Sequence, residues 1–212
     1  MNKLAFVACA TIVAAAASAT PLLPGGSVSP LTYYTNTLNT VVPVQPATFA
    51  PFASANFSGT LVSWVFANAA DNPYGPGHLT FVYQVRNDAT STDSLGRLSV
   101  NGYSTFGTDV GMDPVGVGLG LIDAFENTRS ADGGTLGWSF LNLPPAGFQQ
   151  VGAGQQSSFF VVHTDATQYF WSTAAVIDGA IANTNAWAPL PTPGAGALLS
   201  LGLLASARRR TR

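Results

Sequence analysis

The stretch HLTFVYQVRN, residues 78–87, decides the fold class because its side chains alternate with the period of two that is typical of a β-strand. One set of alternate positions holds large apolar side chains: Leu79, Phe81, Tyr83 and Val85. The positions between them are Thr80, Val82, Gln84 and Arg86. We therefore predict a strand that turns the first set towards a core and the second set the other way.

Four further stretches are rich in β-branched and aromatic residues and have the length of a strand: 57–67, 96–103, 156–165 and 168–178. Clusters of Gly, Pro, Asn and Asp punctuate the gaps, as in NAADNPYGPG before residue 78 and DGG at 132–134. No segment between the chain ends has a helical period of useful length. The pattern predicts an all-β protein, with a single antiparallel β-sandwich or jelly-roll domain over residues 55–188.

Residues 20–54 differ in composition from the predicted sandwich, since they are rich in Pro, Ser and Thr and carry no charge. We interpret them as an extended arm that lies partly across the sandwich. Within the arm, the segment YYTNTL at 33–38 is the part that could contribute an edge strand.

The N-terminus has the three parts of a secretory signal peptide. Lys3 supplies positive charge, residues 4–17 form an apolar run too short for a comfortable membrane span, and small residues precede a cleavage site between Ala19 and Thr20. We therefore expect signal peptidase to remove residues 1–19 and the body to be exported. The single cysteine, Cys9, lies in the removed segment, so the mature protein is expected to have no disulfide.

The C-terminal segment, residues 189–212, combines prolines, an apolar run and a basic end. The apolar run covers 195–207, and as a helix its thirteen residues would extend roughly 20 Å against a hydrocarbon core of about 30 Å. Arginines directly after such a run favour the cytoplasmic side of a membrane. We therefore expect transient insertion of this helix into the inner membrane, with the body outside the cell.

This layout resembles the PEP-CTERM sorting signal, in which a proline-containing signature precedes an apolar helix and a basic end. The matching residues are Pro191, Thr192, Pro193 and Gly194 in the signature and Arg208, Arg209 and Arg210 in the basic end. Thr192 stands where the most common form of the family has glutamate. The resemblance implies processing by an exosortase-type enzyme in Gram-negative bacteria that make extracellular polysaccharide. The β-rich body also resembles the bodies that carry such tails, most of which have no assigned function.

Three other interpretations of the tail stay open. The segment LPTPG at 190–194 approaches the Leu-Pro-x-Thr-Gly signal of Gram-positive sortases, but Pro193 replaces the threonine that a sortase attacks. The apolar run could instead be a plain membrane anchor, or an unprocessed C-terminal helix.

The charges of the chain are divided between its ends and its body. Between the two predicted signals lie three basic residues, Arg86, Arg97 and Arg129, and all ten acidic residues, which gives a net charge of −7. Such a surface repels phosphate backbones, so we expect no nucleic-acid partner.

Calcium is the ligand that best suits this charge. Oxygen donors occur in two stretches, NDATSTDS with Asn87, Asp88 and Asp93, and TDVGMD with Asp109 and Asp113. Neither spacing matches an EF-hand loop, and Asp and Asn in loops more often satisfy turn backbone. We therefore predict no cofactor and keep calcium as a hypothesis.

No catalytic motif is recognisable in the body. The two histidines, His78 and His163, are isolated in sequence, and GYSTF at 102–106 lacks the second glycine of a nucleophile elbow. His163 is predicted to face solvent at a strand end. Zinc needs a larger set of His and Cys ligands, and Glu126 is the only glutamate available to a carboxylate pair. We therefore expect no enzymatic activity.

Two functions remain. The first is an exported, non-catalytic component of the cell surface or extracellular matrix, embedded in exopolysaccharide. The alternative is a carbohydrate-binding module whose aromatic residues stack on sugar rings, with Trp64, Trp138, Trp171 and Tyr103 as candidates. Exposure of these rings discriminates between the two, because aromatic residues of a sandwich more often belong to its core.

Overall fold

The computed structural model describes residues 20–29, 33–34, 41–113, 121–140 and 149–191, and every regular element in these ranges is a strand. The strands are β1 (Ser27–Val28), β2 (Pro43–Ala53), β3 (Ser58–Ala67), β4 (Leu79–Asn87), β5 (Arg97–Asn101), β6 (Thr108–Asp113), β7 (Glu126–Arg129), β8 (Thr135–Ser139), β9 (Phe159–Thr164), β10 (Tyr169–Asp178) and β11 (Ala180–Pro189). The predicted all-β class is confirmed. The helices expected for the signal peptide and the apolar run lie outside the described residues. Within the described ranges, no helix has the length and apolar character needed to cross a membrane.

The strands form two antiparallel sheets with one apolar core between them. The order of the five-stranded sheet is β2-β3-β4-β9-β6, and that of the six-stranded sheet is β1-β7-β8-β5-β10-β11. Trp138 of β8 stacks on Phe160 of β9 across the core, with ring centroids 5.4 Å apart and an angle of 19° between the rings. A core shared by the facing sides of two sheets is the arrangement of a β-sandwich.

Strand β4 lies at the centre of the five-stranded sheet and follows the predicted alternation. The side chains that it buries between the sheets are Leu79, Phe81, Tyr83 and Val85. Val82 points away from this core and is nevertheless fully buried, because it belongs to a second apolar cluster with Tyr34, Phe66 and Val161. Part of the outer face of this sheet is therefore covered as well, which alternation in the sequence does not reveal.

The stretch predicted as an extended arm supplies strands to both sheets. β1 pairs with β7 of the six-stranded sheet, and β2 pairs with β3 at the edge of the five-stranded sheet. In the segment YYTNTL, Tyr33 forms one isolated bridge with Met112, and residues 35–38 lie outside the described part of the chain. The strand that the arm adds to this sheet is therefore β2.

The first described residues cover the other edge of the five-stranded sheet, which is β6. The Val110 amide donates to the Thr20 carbonyl at 3.2 Å, and the Leu22 amide donates to the Thr108 carbonyl at 2.9 Å. An exposed edge strand invites pairing with other chains. The residues next to the predicted cleavage site thus complete the hydrogen bonding of this sheet.

Strand β11, the last strand of the six-stranded sheet, closes one side of the sandwich by bonding to the other sheet. The Tyr83 hydroxyl donates to the Trp187 carbonyl at 2.6 Å, and the Thr184 hydroxyl donates to the Pro51 carbonyl at 3.0 Å. The Trp187 indole nitrogen also donates to the Thr48 hydroxyl at 2.9 Å. Hydrogen bonds therefore join the two sheets along this side.

The opposite side of the sandwich is held by a buried arginine, Arg129 of β7, which is 5% exposed. Its guanidinium donates at 2.7–3.0 Å to four carbonyls and one hydroxyl: those of Leu22, Tyr103, Phe106 and Gly133, and that of Thr108. Burial lowers the pKa of this guanidinium, but an arginine keeps its charge in proteins. A buried charge is tolerated when hydrogen bonds replace its water, and these bonds tie β7 to β6 and to the N-terminal residues.

We predict that Arg129→Met lowers the free energy of unfolding by about 3 kcal/mol or more, because four carbonyls inside the fold each lose a hydrogen bond from the guanidinium. Urea denaturation of the full chain in mild detergent, followed by tryptophan fluorescence, measures the change. The matched control is Arg86→Met, since Arg86 is exposed and lies 5.8 Å from the centre of the Phe49 ring. Its expected effect is about 0.5 kcal/mol, and equal losses in the two variants would contradict the role of Arg129.

Candidate functional site

The strand register brings a histidine, a threonine and an aspartate together on the outer face of the five-stranded sheet. His163 of β9 lies opposite Thr80 of β4 on one side and opposite Asp109 of β6 on the other. All three residues are at most 1% exposed. Asp71 approaches from the β3–β4 connection, with its Oδ1 3.7 Å from His163 Nε2. These four residues form what we call the histidine cluster.

Tyr34 covers the histidine cluster. Its ring centroid lies 4.4 Å from that of His163 in an edge-on arrangement, and its hydroxyl donates to the Asp109 carboxylate. Beneath it, His163 Nδ1 is 2.8 Å from the Thr80 hydroxyl oxygen. The Asn72 amide donates to the same oxygen at 3.2 Å. The cluster is therefore a packed polar network whose lid comes from the N-terminal part of the chain.

Burial governs ionisation in the histidine cluster. It lowers the pKa of His163 to about 4, although the charge of Asp71 acts in the opposite direction. It also raises the pKa of the Asp109 carboxyl, against the hydrogen bond from Tyr34. The pKa of Tyr34 rises well above its ordinary value for the same reason. His163 is thus neutral at pH 7, and the tyrosine keeps its proton.

The order hydroxyl, imidazole, carboxylate in Thr80, His163 and Asp71 is that of a nucleophile, its base and the group that orients the base. Thr80 and His163 have no exposed surface, however, so a substrate has no contact with the hydroxyl in this conformation. The prediction that His163 faces solvent is wrong. The residue sits between two neighbouring strands and under Tyr34, which is 129 positions away in the sequence.

The residues considered as calcium ligands belong to the fold and do not gather around one point. Asp109 and Asp113 lie on β6 and are buried, rather than standing in a loop. The Asn87 amide nitrogen donates to the Asp93 carbonyl at 3.0 Å, and Asp88 accepts from the Ser58 hydroxyl. Among the described residues, no three His, Cys, Asp or Glu side chains are grouped so that they could hold a metal ion.

The four aromatic residues considered for sugar binding separate by exposure. Trp138 and Tyr103 are fully buried in the core between the sheets. Trp64 is half-buried on the outer face of the five-stranded sheet, 5.8 Å from Phe159. Trp171 is 39% exposed, and it alone of the four lies on the outer face of the six-stranded sheet.

Trp171 is part of a larger surface that we call the amide–aromatic face. It comprises the outward residues Tyr169, Trp171 and Trp187 with Asn101, Thr135, Thr173, Asn183 and Asn185. The Trp187 ring centroid is 4.7 Å from that of Trp171 and 5.3 Å from that of Tyr169, both edge-on. The face therefore has an aromatic end followed by rows of uncharged polar side chains.

Hydrogen bonds orient the polar side chains of the amide–aromatic face. The Asn101 amide nitrogen donates to the Thr173 hydroxyl at 2.8 Å, and its oxygen accepts from the Thr135 hydroxyl at 2.6 Å. Asn185 lies opposite Thr173 on the next strand, and it is exposed. The register thus sets four polar side chains in one row across four strands.

Sequence reasoning found Trp171 but missed its partners on β11. The stretch AIANTNAWAP carries a usable signal, because small residues alternate with Asn183, Asn185 and Trp187. The small residues of β11 face the core between the sheets, as Ala174 does on the neighbouring strand β10. The polar and aromatic set is therefore the outward one.

The residues of the predicted processing sites lie mostly outside the described part of the chain. These are Ala19 in the signal peptide, Thr192, Pro193 and Gly194 in the signature, and Arg208, Arg209 and Arg210 in the basic end. Thr20 is half-buried beside β6, and Pro191 is exposed two residues after β11 ends. Of the residues at the two predicted processing sites, Thr20 thus lies against β6 and Pro191 follows the last strand.

Comparison with known proteins identifies no relative from which a function could be inferred. No protein-family model matches the chain, and no curated protein or solved structure shows significant similarity to it. The histidine cluster and the amide–aromatic face are therefore judged by their geometry.

We predict that the protein loses stability as the pH falls from about 6.5 to 4, by up to about 3 kcal/mol through His163. The pKa of this imidazole is about 4 in the folded chain and near 6.5 when unfolded, so the unfolded state binds the proton first. The raised pKa of Asp109 acts in the opposite sense, since the folded chain then takes up a proton more readily.

Urea unfolding of the full chain at a series of pH values tests this expectation. His163→Gln should flatten the profile between pH 4 and 6.5 because it removes the titrating group. His78→Gln is the matched control, since His78 is the other histidine and is half-buried outside the cluster. An unchanged slope in His163→Gln would show that other groups cause the pH dependence.

Proposed function

We propose that the protein is an exported, non-catalytic component of the cell surface or extracellular matrix, delivered through a PEP-CTERM-type tail. Signal peptidase removes residues 1–19, and the apolar run inserts transiently into the inner membrane. An exosortase-type enzyme then cleaves near the signature Pro191-Thr192-Pro193-Gly194. The sandwich is left in the envelope or outside it, in contact with exopolysaccharide.

One structural observation carries this proposal: the described fold occupies the chain between the two predicted processing sites and uses its ends. Thr20, the first residue after the predicted cleavage, accepts a hydrogen bond from Val110. At the other end, β11 finishes at Pro189, and Pro191 is exposed. Removal of both tails therefore leaves every described strand intact, and Pro191, the first residue of the signature, is exposed.

The histidine cluster supports the non-catalytic part of this proposal. Its hydroxyl, imidazole and carboxylate are arranged in a catalytic order, but the hydroxyl and the imidazole have no exposed surface. A general base must come within hydrogen-bond reach of the proton that it removes. In this conformation the cluster serves to fix Tyr34 and the outer cover of the five-stranded sheet.

We predict that the protein recovered from its host has an intact mass that corresponds to a start at Thr20 and an end near residues 191–194. Mass spectrometry of envelope and medium fractions measures both ends at once. Replacement of Arg208, Arg209 and Arg210 by Ala should leave the C-terminal segment uncleaved, because the stop at the membrane is lost. The control is Arg86→Ala, which removes an exposed arginine from the body.

The outcomes that contradict this expectation are distinguished by mass. A chain that starts at Thr20 and still ends at Arg212 is a plain anchor and overturns the sorting proposal. A chain that starts at Met1 overturns export by a cleaved signal peptide. Identical processing in the triple arginine variant would show that the basic end has no role in the signal.

A further inference from the structure

We propose that the amide–aromatic face binds a neutral polysaccharide, with Trp171 stacked on a sugar ring and the asparagine and threonine rows bonded to sugar hydroxyls. The inference depends on the proposed function in one respect, namely that the protein meets polysaccharide outside the cell. Binding itself is a property of the folded chain and is tested on purified protein. Failure of export and failure of binding are therefore distinguishable.

The aromatic end of the face is held in place before any ligand arrives. Trp171 packs edge-on against Trp187 with ring centroids 4.7 Å apart, and Trp187 packs edge-on against Tyr169 at 5.3 Å. Trp187 is itself fixed by the bond from its indole nitrogen to Thr48. A ring that loses little freedom on binding contributes more of its contact energy to affinity. Trp171 keeps 39% of its surface exposed for that contact.

The polar rows supply hydrogen-bond groups along a line. Asn185, Thr173, Asn101 and Thr135 lie in register on four neighbouring strands, which spans about 14 Å at the usual strand spacing. Amides and hydroxyls both donate and accept, as sugar hydroxyls do. The row is therefore matched to a linear ligand with several hydroxyl groups rather than to a single small anion or cation.

The charge of the face selects a neutral ligand. At the outward positions of β5, β7, β8, β10 and β11, the charged residues are Arg97 and Glu126. The Arg97 guanidinium is already used, since it donates to Ser139 and Thr128 at 2.8 and 2.7 Å. It lies over Gly137, where an added Cβ would come within 1.9 Å of it. Arg97 and Glu126 have opposite charges, so these outward positions together carry no net charge.

The net charge of the body also disfavours other occupants. Three arginines and ten acidic residues lie between the predicted signals, so two copies of the chain repel each other, and an acidic polysaccharide is repelled as well. An uncharged polysaccharide is not repelled by this charge. The combination of an exposed indole, oriented amides and an uncharged surface points to this one ligand class.

The test is affinity electrophoresis of the full chain in mild detergent, in native gels that contain dextran, laminarin, hydroxyethylcellulose or galactomannan. We expect retardation by at least one of these neutral polymers and none by alginate. Trp171→Ala should weaken the interaction about tenfold. Phe49→Ala is the matched control, because Phe49 is 58% exposed on the other sheet, and it should leave retardation unchanged.

A second variant keeps the test valid if Trp171→Ala fails to fold. Asn185→Ala removes one exposed amide, so it should weaken retardation while its urea midpoint stays that of the wild type. Retardation by none of the four polymers, or equal losses in Trp171→Ala and Phe49→Ala, would overturn the proposal. Sedimentation showing a dimer that Trp171→Ala dissociates would also overturn it, because the face would then be a protein interface.

Discussion

A buried guanidinium that must replace its lost water is the constraint on which one side of this sandwich depends. Arg129 meets it with four carbonyls and one hydroxyl, which come from the N-terminal segment, from β6, from the loop before β6 and from the turn after β7. No acidic side chain is among these acceptors, so the positive charge is spread over backbone dipoles. The other side is joined by neutral bonds from Tyr83 and Thr184, and the two sheets are therefore linked along both sides.

Local patterns in the sequence predicted the strands, but they did not predict burial that depends on residues far away in the chain. The strands β3, β4 and β5 followed from a period of two, and β9 and β10 followed from runs of β-branched and aromatic residues; the structure confirms all five. The burial of His163 could not follow in this way, because it results from strand neighbours and from Tyr34. The same limit explains Asp109 and Asp113, whose stretch resembles a loop by composition but is the edge strand β6.

The two outer faces of the sandwich have different chemistry, and this difference frames the proposals. The five-stranded sheet covers part of its outer face with Tyr34 and an apolar cluster, and there it encloses titratable groups that have almost no contact with solvent. The six-stranded sheet leaves its outer face open, with an indole and amides on a surface almost free of charge. The histidine cluster is thus enclosed, whereas uncharged polar and aromatic side chains are exposed, and the two proposals start from this difference.

The bonding of β11 to β2, β3 and β4 has a consequence for the order of folding. A ribosome releases the chain from its N-terminus, yet the strand that completes the sandwich ends at Pro189, close to the C-terminus. Pairing of strands distant in sequence costs loop entropy before stabilising contacts form, and it is therefore slow. Strands β2, β3 and β4 therefore stay only partly covered until about a hundred further residues have been synthesised. The sandwich therefore cannot be completed until synthesis is almost over, and a strand near the end of the chain controls when the core closes.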